Sequence, residues 1–243
     1  MAERYDDLRG TQEQLARQFE FTIEQGLGAA TRLLDVGCGT GALVAAAVER
    51  LGVRGWGVDA SEQMLAKARE RHVRGAAFKR AQADDLPFRD GWFDAVTMRL
   101  VVHTLGDRRV AALAEARRVL ASGGRLFIWT FAPEHFTGHH LVPYLPDLAP
   151  MDLARFPVAD VLSSELNALG FSDVRVEPFE QTGAVDRQRA AEQLRAGHVS
   201  TIHLLPPDQV AAAIDRLERE AAAGEPPLTT TLRWQLLVAL AGP

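Results

Sequence analysis

The stretch LLDVGCGTG, residues 33–41, decides the expected fold of this chain. An apolar run that ends in an acidic residue and alternating glycines is typical of a strand, a tight turn and the start of a helix. In such a turn the backbone approaches a ligand closely at the helix N-terminus. A phosphate ligand is disfavoured here because Asp35 would repel it at short range. The stretch therefore favours a ligand whose ammonium is held by backbone carbonyls and by Asp35 through water, and whose carboxylate meets the amides of the loop and the N-terminus of the helix.

The same residues also fit a dinucleotide-binding pattern. Read as Gly37-x-Gly39-x-x-Ala42, the turn matches a nicotinamide-cofactor fingerprint, and Asp59 stands about where a ribose-binding acid belongs. Asp35 disfavours this interpretation, since a pyrophosphate would lie close to its carboxylate. An NAD(P)-dependent oxidoreductase therefore stays as the alternative.

Strand and helix patterns alternate around this stretch as far as residue 131. The predicted strands are RLLDVG, VRGWGVD, AAFKRAQAD, FDAVTM and RLFIWTF. The predicted helices are residues 11–27, GALVAAAVERLG closed by Gly52, SEQMLAKARERH with Ser61 as N-cap, and RRVAALAEARRVLAS, which the Gly123-Gly124 pair is expected to end. This alternation predicts parallel strands with helices on both faces.

The pattern changes after residue 131. Five prolines between residues 133 and 157 predict an irregular insertion. It is followed by a helix at VADVLSSELNALGF, a strand at SDVRVEPFE, a helix at PDQVAAAIDRLEREAAAG and a last strand within TTTLRWQLLVAL. The chain is therefore divided into a helical lid (1–30), a cofactor-binding core (31–131), a cap insertion with a helix and the sixth strand (132–206), and a C-terminal helix and last strand (207–243).

Composition limits the function classes. The chain has 243 residues and a formal net charge of -5, which argues against a broad nucleic-acid footprint. A single cysteine excludes a disulfide framework and a thiolate zinc cluster. The polar N-terminus and the absence of long apolar runs predict a cytoplasmic protein without a membrane partner, as a monomer or homodimer. The arginines of EARRVL are expected on a solvated helix face, and the histidines at 135, 139 and 140 in a solvated loop rather than on a metal.

Five motifs occur in order between residues 33 and 131: LLDVGCGTG, VDASEQML, ADDLPFRDGWFDAV, VVHTLGD and EARRVLASGGRLFI. With them the chain resembles the class I S-adenosylmethionine-dependent methyltransferases, in the small-molecule branch that includes the ubiquinone/menaquinone C-methyltransferases. The resemblance implies S-adenosylmethionine as cofactor and S-adenosylhomocysteine as product. It also implies an α/β fold: a Rossmann-like, doubly wound, mostly parallel seven-stranded sheet with a final antiparallel strand, plus a partly helical cap.

The cofactor site expected from these motifs lies at the carboxyl ends of the strands. Asp59 would accept from the ribose hydroxyls, Ala60 and Met64 would line the adenine, and Arg99 would touch the methionine carboxylate or line the cleft. The family usually has Gly-Asp-Ala before x-x-Leu-Pro-Phe, whereas this chain has Gln82 in the Asp position. Either Gln82 with Ala83, or Asp84 after a shift of the loop, would contact the adenine. The full predicted set is Asp35, Gly37, Cys38, Gly39, Gly41, Asp59, Ala60, Met64, Gln82, Ala83, Asp84 and Arg99.

The expected reaction is an in-line displacement in which a methyl group moves to a small, partly apolar organic acceptor. A general base is needed only where the nucleophile must lose a proton, and His103 is the candidate by its position after the fourth strand. Tyr144, Arg195 and His198 are the candidate substrate contacts, although the segment RAGHVSTIH is equally compatible with a plain connector. A methyltransferase acting on RNA or protein is a further alternative.

Overall fold

Short apolar runs form strands and amphipathic segments form helices in the computed structural model, which describes residues 12–197 and 200–242. The α-helices in these residues are α1 (Gln12–Glu24), α2 (Ala42–Leu51), α3 (Glu62–Glu70), α4 (Arg109–Val119), α5 (Pro133–Thr137), α6 (Leu148–Arg155), α7 (Ala159–Ala168), α8 (Arg187–Arg195) and α9 (Pro207–Ala222). The strands are β1 (Arg32–Val36), β2 (Arg54–Asp59), β3 (Ala76–Arg80), β4 (Phe93–Arg99), β5 (Leu120–Phe131), β6 (Phe171–Val185) and β7 (Leu228–Ala241).

The seven strands form one sheet in the order β3-β2-β1-β4-β5-β7-β6. Six strands are parallel and the last one in the chain is antiparallel, so the predicted fold class is confirmed. β1 pairs in parallel with both β2 and β4, with Leu34 opposite Trp56 on one side and Val96 on the other. The order of the strands reverses at β1, and in open α/β sheets ligands bind outside the carboxyl ends of the strands at such a point.

Two units are distinguished by their internal contacts. The core unit consists of residues 15–130, 157–178 and 235–242 of the described chain. Its strands β1 and β4 are buried on both faces, as in other parallel sheets, and Phe93, Phe127 and Trp129 are among its largest fully buried side chains. The second unit consists of residues 12–14, 131–156, 179–197 and 200–234. Its apolar cluster includes Leu148, Leu194 and Leu217, from α6, α8 and α9.

Several local predictions are confirmed. The amphipathic helix near the N-terminus is α1, and α2 is followed by Gly52 in a left-handed conformation with φ of 68°. The side chain of Ser61 caps α3 by accepting from the amide of Met64 at 3.4 Å. In the part of the chain that the structure describes, no helix has the length and apolar character needed to cross a bilayer.

Three local predictions are wrong. The Gly123-Gly124 pair does not end α4, because the helix stops at Val119 and Leu120 is already extended and paired with Phe93. The insertion expected to be irregular contains α5 and α6, and α8 was not predicted at all. The short helices begin with a proline or carry their apolar residues at helical spacing, which the density of prolines hides. The division into four segments stays a prediction.

Candidate functional site

The glycine turn after β1 is held by its own backbone. Gly37, Gly39 and Gly41 have φ angles of 73°, 53° and 75°, which glycine adopts without strain. The amides of Gly37 and Cys38 donate to the carbonyl of Val58 at 2.8 and 3.0 Å, and the amide of Gly41 donates to the carbonyl of Cys38 at 2.9 Å. The turn is therefore fastened to the end of β2 by backbone hydrogen bonds.

The three glycines differ in what surrounds them. A Cβ atom on Gly37 would lie 2.7 Å from the side chain of Val101, and one on Gly41 would lie 2.7 Å from Phe78. A Cβ atom on Gly39 would have no neighbour within 4 Å. Packing thus requires the first and third glycines, while the middle one borders open space at the carboxyl edge of the sheet.

Asp35 is a buried acid beside this turn. Asp35 is only 3% exposed, and its Oδ1 accepts a hydrogen bond from the hydroxyl of Thr97 at 2.7 Å. Burial raises the pKa of Asp35 to about 7, against the hydrogen bond from Thr97 and the positive charge of Arg99, which lower it. The negative charge of Asp59 raises it further. A cationic group of a ligand would restore the ionised form of this carboxyl group.

Asp59 connects the glycine turn to α3. Its Oδ2 accepts from the amide of Gly39 at 2.9 Å, and its Oδ1 accepts from the amide of Ser61 at 2.8 Å. The amides of Gly37, Cys38, Gly39 and Gly41 thus all donate within the protein. The acceptors are the carbonyls of Val58 and Cys38 and the carboxylate of Asp59. A contact between a ligand carboxylate and the loop or the helix N-terminus stays a prediction.

Cys38, Ala60 and Met64 border the same turn. Cys38 is buried, and desolvation together with the charges of Asp35 and Asp59 raises the pKa of its thiol. Ala60 is exposed, and Met64, in the first turn of α3, is half-buried. These three residues accordingly present small or apolar groups next to the two carboxylates.

The segment between β3 and β4 carries the two candidate adenine contacts. Nη1 of Arg108 donates to Oε1 of Gln82 at 3.2 Å and to Oδ1 of Asp84 at 3.3 Å. Ala83 lies between them and packs on the main apolar cluster. The choice between Gln82 and Asp84 therefore stays a prediction, and Arg108 is an additional member of this group that the sequence did not indicate.

Arg118 fixes the turn that follows these residues. Its guanidinium donates to the carbonyls of Leu86 and Phe88 at 2.9 and 2.8 Å. It also bonds the carboxylate of Glu115, which accepts from the amide of Leu86 at 2.8 Å. The expectation of a solvated face for EARRVL is wrong at this arginine, because the guanidinium satisfies carbonyls in a neighbouring turn. Arg117 likewise donates to the carbonyl of Gly242 at 2.7 Å.

Helix α1 contacts the ends of β4 and β5. Nε and Nη2 of Arg99 donate to Oε1 of Gln18 at 3.1 and 3.0 Å. Nε1 of Trp129 donates to the hydroxyl of Thr22 at 3.0 Å. Gln18 and Thr22 are both buried, so these polar contacts dock one face of the helix on the carboxyl edge of the sheet. The first eleven residues of the predicted lid lie outside the described residues.

His103 lies just after β4, in the one-turn 3-10 helix Val102–Thr104, and is half-buried. The chain reaches it through Leu100, whose φ of 53° is in the left-handed region. Such a conformation is unfavourable for leucine and is often found at functional sites. Nothing in the composition of the segment predicted this strained turn.

Two of the predicted substrate contacts, Tyr144 and Arg195, bind glutamate side chains of α9. The hydroxyl of Tyr144 donates to the carboxylate of Glu220, which also pairs with Arg187 at 2.6 Å. Arg195 pairs with Glu218 at 2.6 Å. These contacts join α8 and the segment before α6 to α9. His198 lies outside the described residues, and the role of all three in substrate binding stays a prediction.

The second unit also contains a cluster of aromatic rings and imidazoles. The ring of Phe131 stacks on His135 and on Trp234, at 3.9 Å in each case. His139 stacks on His140 at 4.3 Å. Burial lowers the pKa of His135 and of His140 to about 4, so both rings are neutral at physiological pH. The expectation of solvated histidines is therefore wrong for His135, which is 4% exposed.

No group of three or more histidine, cysteine or carboxylate side chains in residues 12–197 and 200–242 is arranged to hold a metal ion. Two carboxylates, an arginine and a buried amide lie at the carboxyl edge of the sheet, and this set suits an organic ligand with charged and hydroxyl groups.

Comparison with known proteins gives consistent results. Residues 34–128 match the family model described as a methyltransferase domain. A ubiquinone/menaquinone biosynthesis C-methyltransferase, UbiE, of Geobacter sp. (strain M21) is 31% identical in an alignment 189 residues long that covers 66% of this chain and 77% of that protein.

Two solved structures share the fold. The YcgJ protein from Bacillus subtilis superposes with a TM-score of 0.66 and 22% identity over 94% of this chain and 99% of the other. A phosphoethanolamine N-methyltransferase 2 of Haemonchus contortus, in complex with phosphomonomethylethanolamine and S-adenosylhomocysteine, gives a TM-score of 0.60 and 17% identity over 93% and 53%.

Proposed function

Because the chain belongs to the class I S-adenosylmethionine-dependent methyltransferases, we propose that it transfers a methyl group to a small, partly apolar organic acceptor by in-line displacement. The observation that carries this proposal is the buried carboxyl group of Asp35 beside the glycine turn. It supports a ligand with an ammonium group and opposes a pyrophosphate, and so favours S-adenosylmethionine over NAD(P).

The residues at the carboxyl edge fit the parts of this cofactor. Asp35 would accept from the ammonium, because its carboxyl group is desolvated and holds a single hydrogen bond from Thr97. Asp59 would accept from the ribose hydroxyls at the end of β2, where its oxygens now accept from two backbone amides. Gln82 or Asp84 would accept from the adenine amino group.

When bound, the cofactor supplies a methyl group on a sulfonium, whose bond to sulfur breaks as the acceptor attacks. The residues of this chain align the two reactants and exclude water from them. His103 would take up the proton of a hydroxyl or of an activated ring carbon, and its position directly after β4 supports this role. The strained backbone at Leu100 sets the direction of that turn.

The acceptor is proposed to contain an apolar ring. The Geobacter relative carries a name that states C-methylation in ubiquinone and menaquinone biosynthesis. A net charge of -5 gives little support to RNA as the acceptor. We therefore favour a quinol-like or phenolic compound over a polymer.

Two measurements test the proposal. Titration calorimetry with S-adenosylhomocysteine and with NAD should show binding of the first only, and binding of NAD alone would refute the proposed cofactor. A panel of quinols, phenols and amines, assayed by formation of S-adenosylhomocysteine, should give turnover with a ring-containing acceptor.

His103→Asn tests the general base in the same assay. With the best acceptor we expect the rate to fall by a factor of roughly 100 or more. The dissociation constant for S-adenosylhomocysteine should not change. Thr104→Val, at the neighbouring exposed position, is the matched control. An unchanged rate in the His103 variant would exclude this residue as the base.

A further inference from the structure

Four backbone amides of the glycine turn are not available to the carboxylate of an amino-acid ligand. The amides of Gly37, Cys38, Gly39 and Gly41 already donate to acceptors in the protein. A desolvated carboxylate needs hydrogen-bond donors or a positive charge close by. Side-chain donors at the carboxyl edge of the sheet can supply them.

Gln18 of α1 has such donors. It is 3% exposed, and its Oε1 accepts two hydrogen bonds from the guanidinium of Arg99. This arrangement fixes which end of the amide is nitrogen. Nε2 is buried and has no hydrogen-bond partner among the described residues. Buried amide groups are normally satisfied, so an orphaned donor at this edge indicates a missing acceptor.

The surroundings of Gln18 keep it in place. One helical turn further along α1, the hydroxyl of Thr22 accepts from the indole of Trp129 at 3.0 Å and donates to the carbonyl of Gln18 at 2.7 Å. Arg99 links the amide to Asp35, on whose carboxyl group its positive charge acts. These three groups complement a zwitterion. The amide of Gln18 and the guanidinium of Arg99 suit its carboxylate, and the carboxyl group of Asp35 suits its ammonium.

We infer that Nε2 of Gln18 donates a hydrogen bond to the carboxylate at the amino-acid end of the cofactor, so that α1 forms part of the cofactor site. This inference rests on the proposed function. Arg99 acts on the same carboxylate by its charge and positions the amide through its two hydrogen bonds to Oε1.

Two substitutions separate the donor from the structural contact. Gln18→Glu keeps an oxygen for Arg99 but replaces the amide donor by a second carboxylate oxygen. Gln18→Leu removes both. In titration calorimetry with S-adenosylhomocysteine we expect each variant to bind roughly 10- to 100-fold more weakly than the unmodified protein. Arg17→Gln, on the exposed side of α1, is the matched control and should bind like the unmodified protein.

A second ligand localises the effect. 5′-Methylthioadenosine has the adenosine and the thioether of the cofactor but lacks the amino-acid end. Its affinity should be the same in the unmodified protein and in Gln18→Glu. Thermal unfolding without ligand should show that Gln18→Glu retains the stability of the unmodified protein, because the contact with Arg99 remains.

The outcomes are distinguishable. If Gln18→Glu binds S-adenosylhomocysteine as tightly as the unmodified protein, Gln18 serves only to hold Arg99 and the inference is wrong. Equal losses for both ligands would also overturn it, since the effect would then not depend on the carboxylate. If the unmodified protein binds neither ligand, the proposed function itself fails, and this inference fails with it.

Discussion

Replacing Asp35 by asparagine tests the central feature of the site through protein stability. The carboxyl group has a pKa of about 7 in the folded protein and an ordinary value of 3.8. Between these values the folded state holds a proton that the unfolded state has released, so stability falls as the pH rises. Over this range the free energy of unfolding falls by about 1.4 kcal/mol for each pH unit. From pH 5 to pH 8 the unmodified protein should therefore lose about 3 kcal/mol that Asp35→Asn does not lose.

Urea unfolding of the ligand-free proteins at four pH values from 5 to 8 measures this difference directly. The asparagine keeps an oxygen for the hydroxyl of Thr97 and has no charge to desolvate. Its new buried N–H groups lower stability by a similar amount at every pH, which leaves the slope unaffected. Asp107→Asn, at an exposed position of the core unit, should run parallel to the unmodified protein. Parallel curves for Asp35→Asn as well would refute the argument from burial.

The same substitution predicts an effect on ligand binding. The ammonium of S-adenosylhomocysteine requires the ionised form of Asp35, so binding to the unmodified protein should strengthen about tenfold per unit from pH 5 to pH 7 and then level off. Asp35→Asn should bind roughly 10- to 100-fold more weakly at pH 8 and show little dependence on pH. Calorimetric titrations at each pH provide the test, and a pH-independent affinity in the unmodified protein would contradict it.

Two further substitutions test the two units separately. Arg118→Lys cannot reproduce the planar set of donors to the neighbouring turn and should lower the free energy of unfolding in urea by about 1–3 kcal/mol. Burial lowers the pKa of His135 from 6.5 to about 4, so folding favours its neutral ring. The stability that this neutral ring contributes is fully present above pH 6.5 and is lost as the pH falls toward 4. The unmodified protein should thus lose about 3 kcal/mol over this range that His135→Phe retains, as measured by urea unfolding followed by tryptophan fluorescence.

Substitutions at exposed positions provide the controls for Arg118→Lys and His135→Phe. Arg69→Lys alters a surface pair with Glu62 and should change stability by less than about 1 kcal/mol. His72→Asn, at an exposed residue with positive φ, should leave the acid transition unchanged. A loss in Arg118→Lys no larger than in its control, or an acid transition that His135→Phe does not shift, would contradict the assignments.

Local sequence signals were enough to predict the strands of the sheet and the ends of several helices. Each strand near the glycine turn is a short apolar run, and the residues that begin and end the helices, such as Ser61 and Gly52, act through neighbours within four positions. The final antiparallel strand followed from the resemblance. Patterns of this range predict elements well, because hydrogen bonding and burial within an element depend on its own residues.

The missed parts depend on distant residues. Gln18 is one more polar residue in an amphipathic pattern, and its contact with Arg99 spans 81 positions. Arg118 looks like a solvated helix residue until the turn near Leu86 is placed beside it. His135 stacks on Phe131, which in turn stacks on Trp234, a residue far away in the sequence. In each case the partner is chosen by the tertiary structure, and no local pattern specifies it.

Cys38 has a practical consequence. It is the one cysteine of the chain, and it is buried with a raised pKa. Since alkylating dyes react with the thiolate, the native protein should resist labelling at neutral pH. A cysteine introduced at Arg17 would then be a unique attachment point on α1, without removal of the natural thiol. A fluorophore there would report how firmly the helix is docked, in real time and in the absence of any turnover.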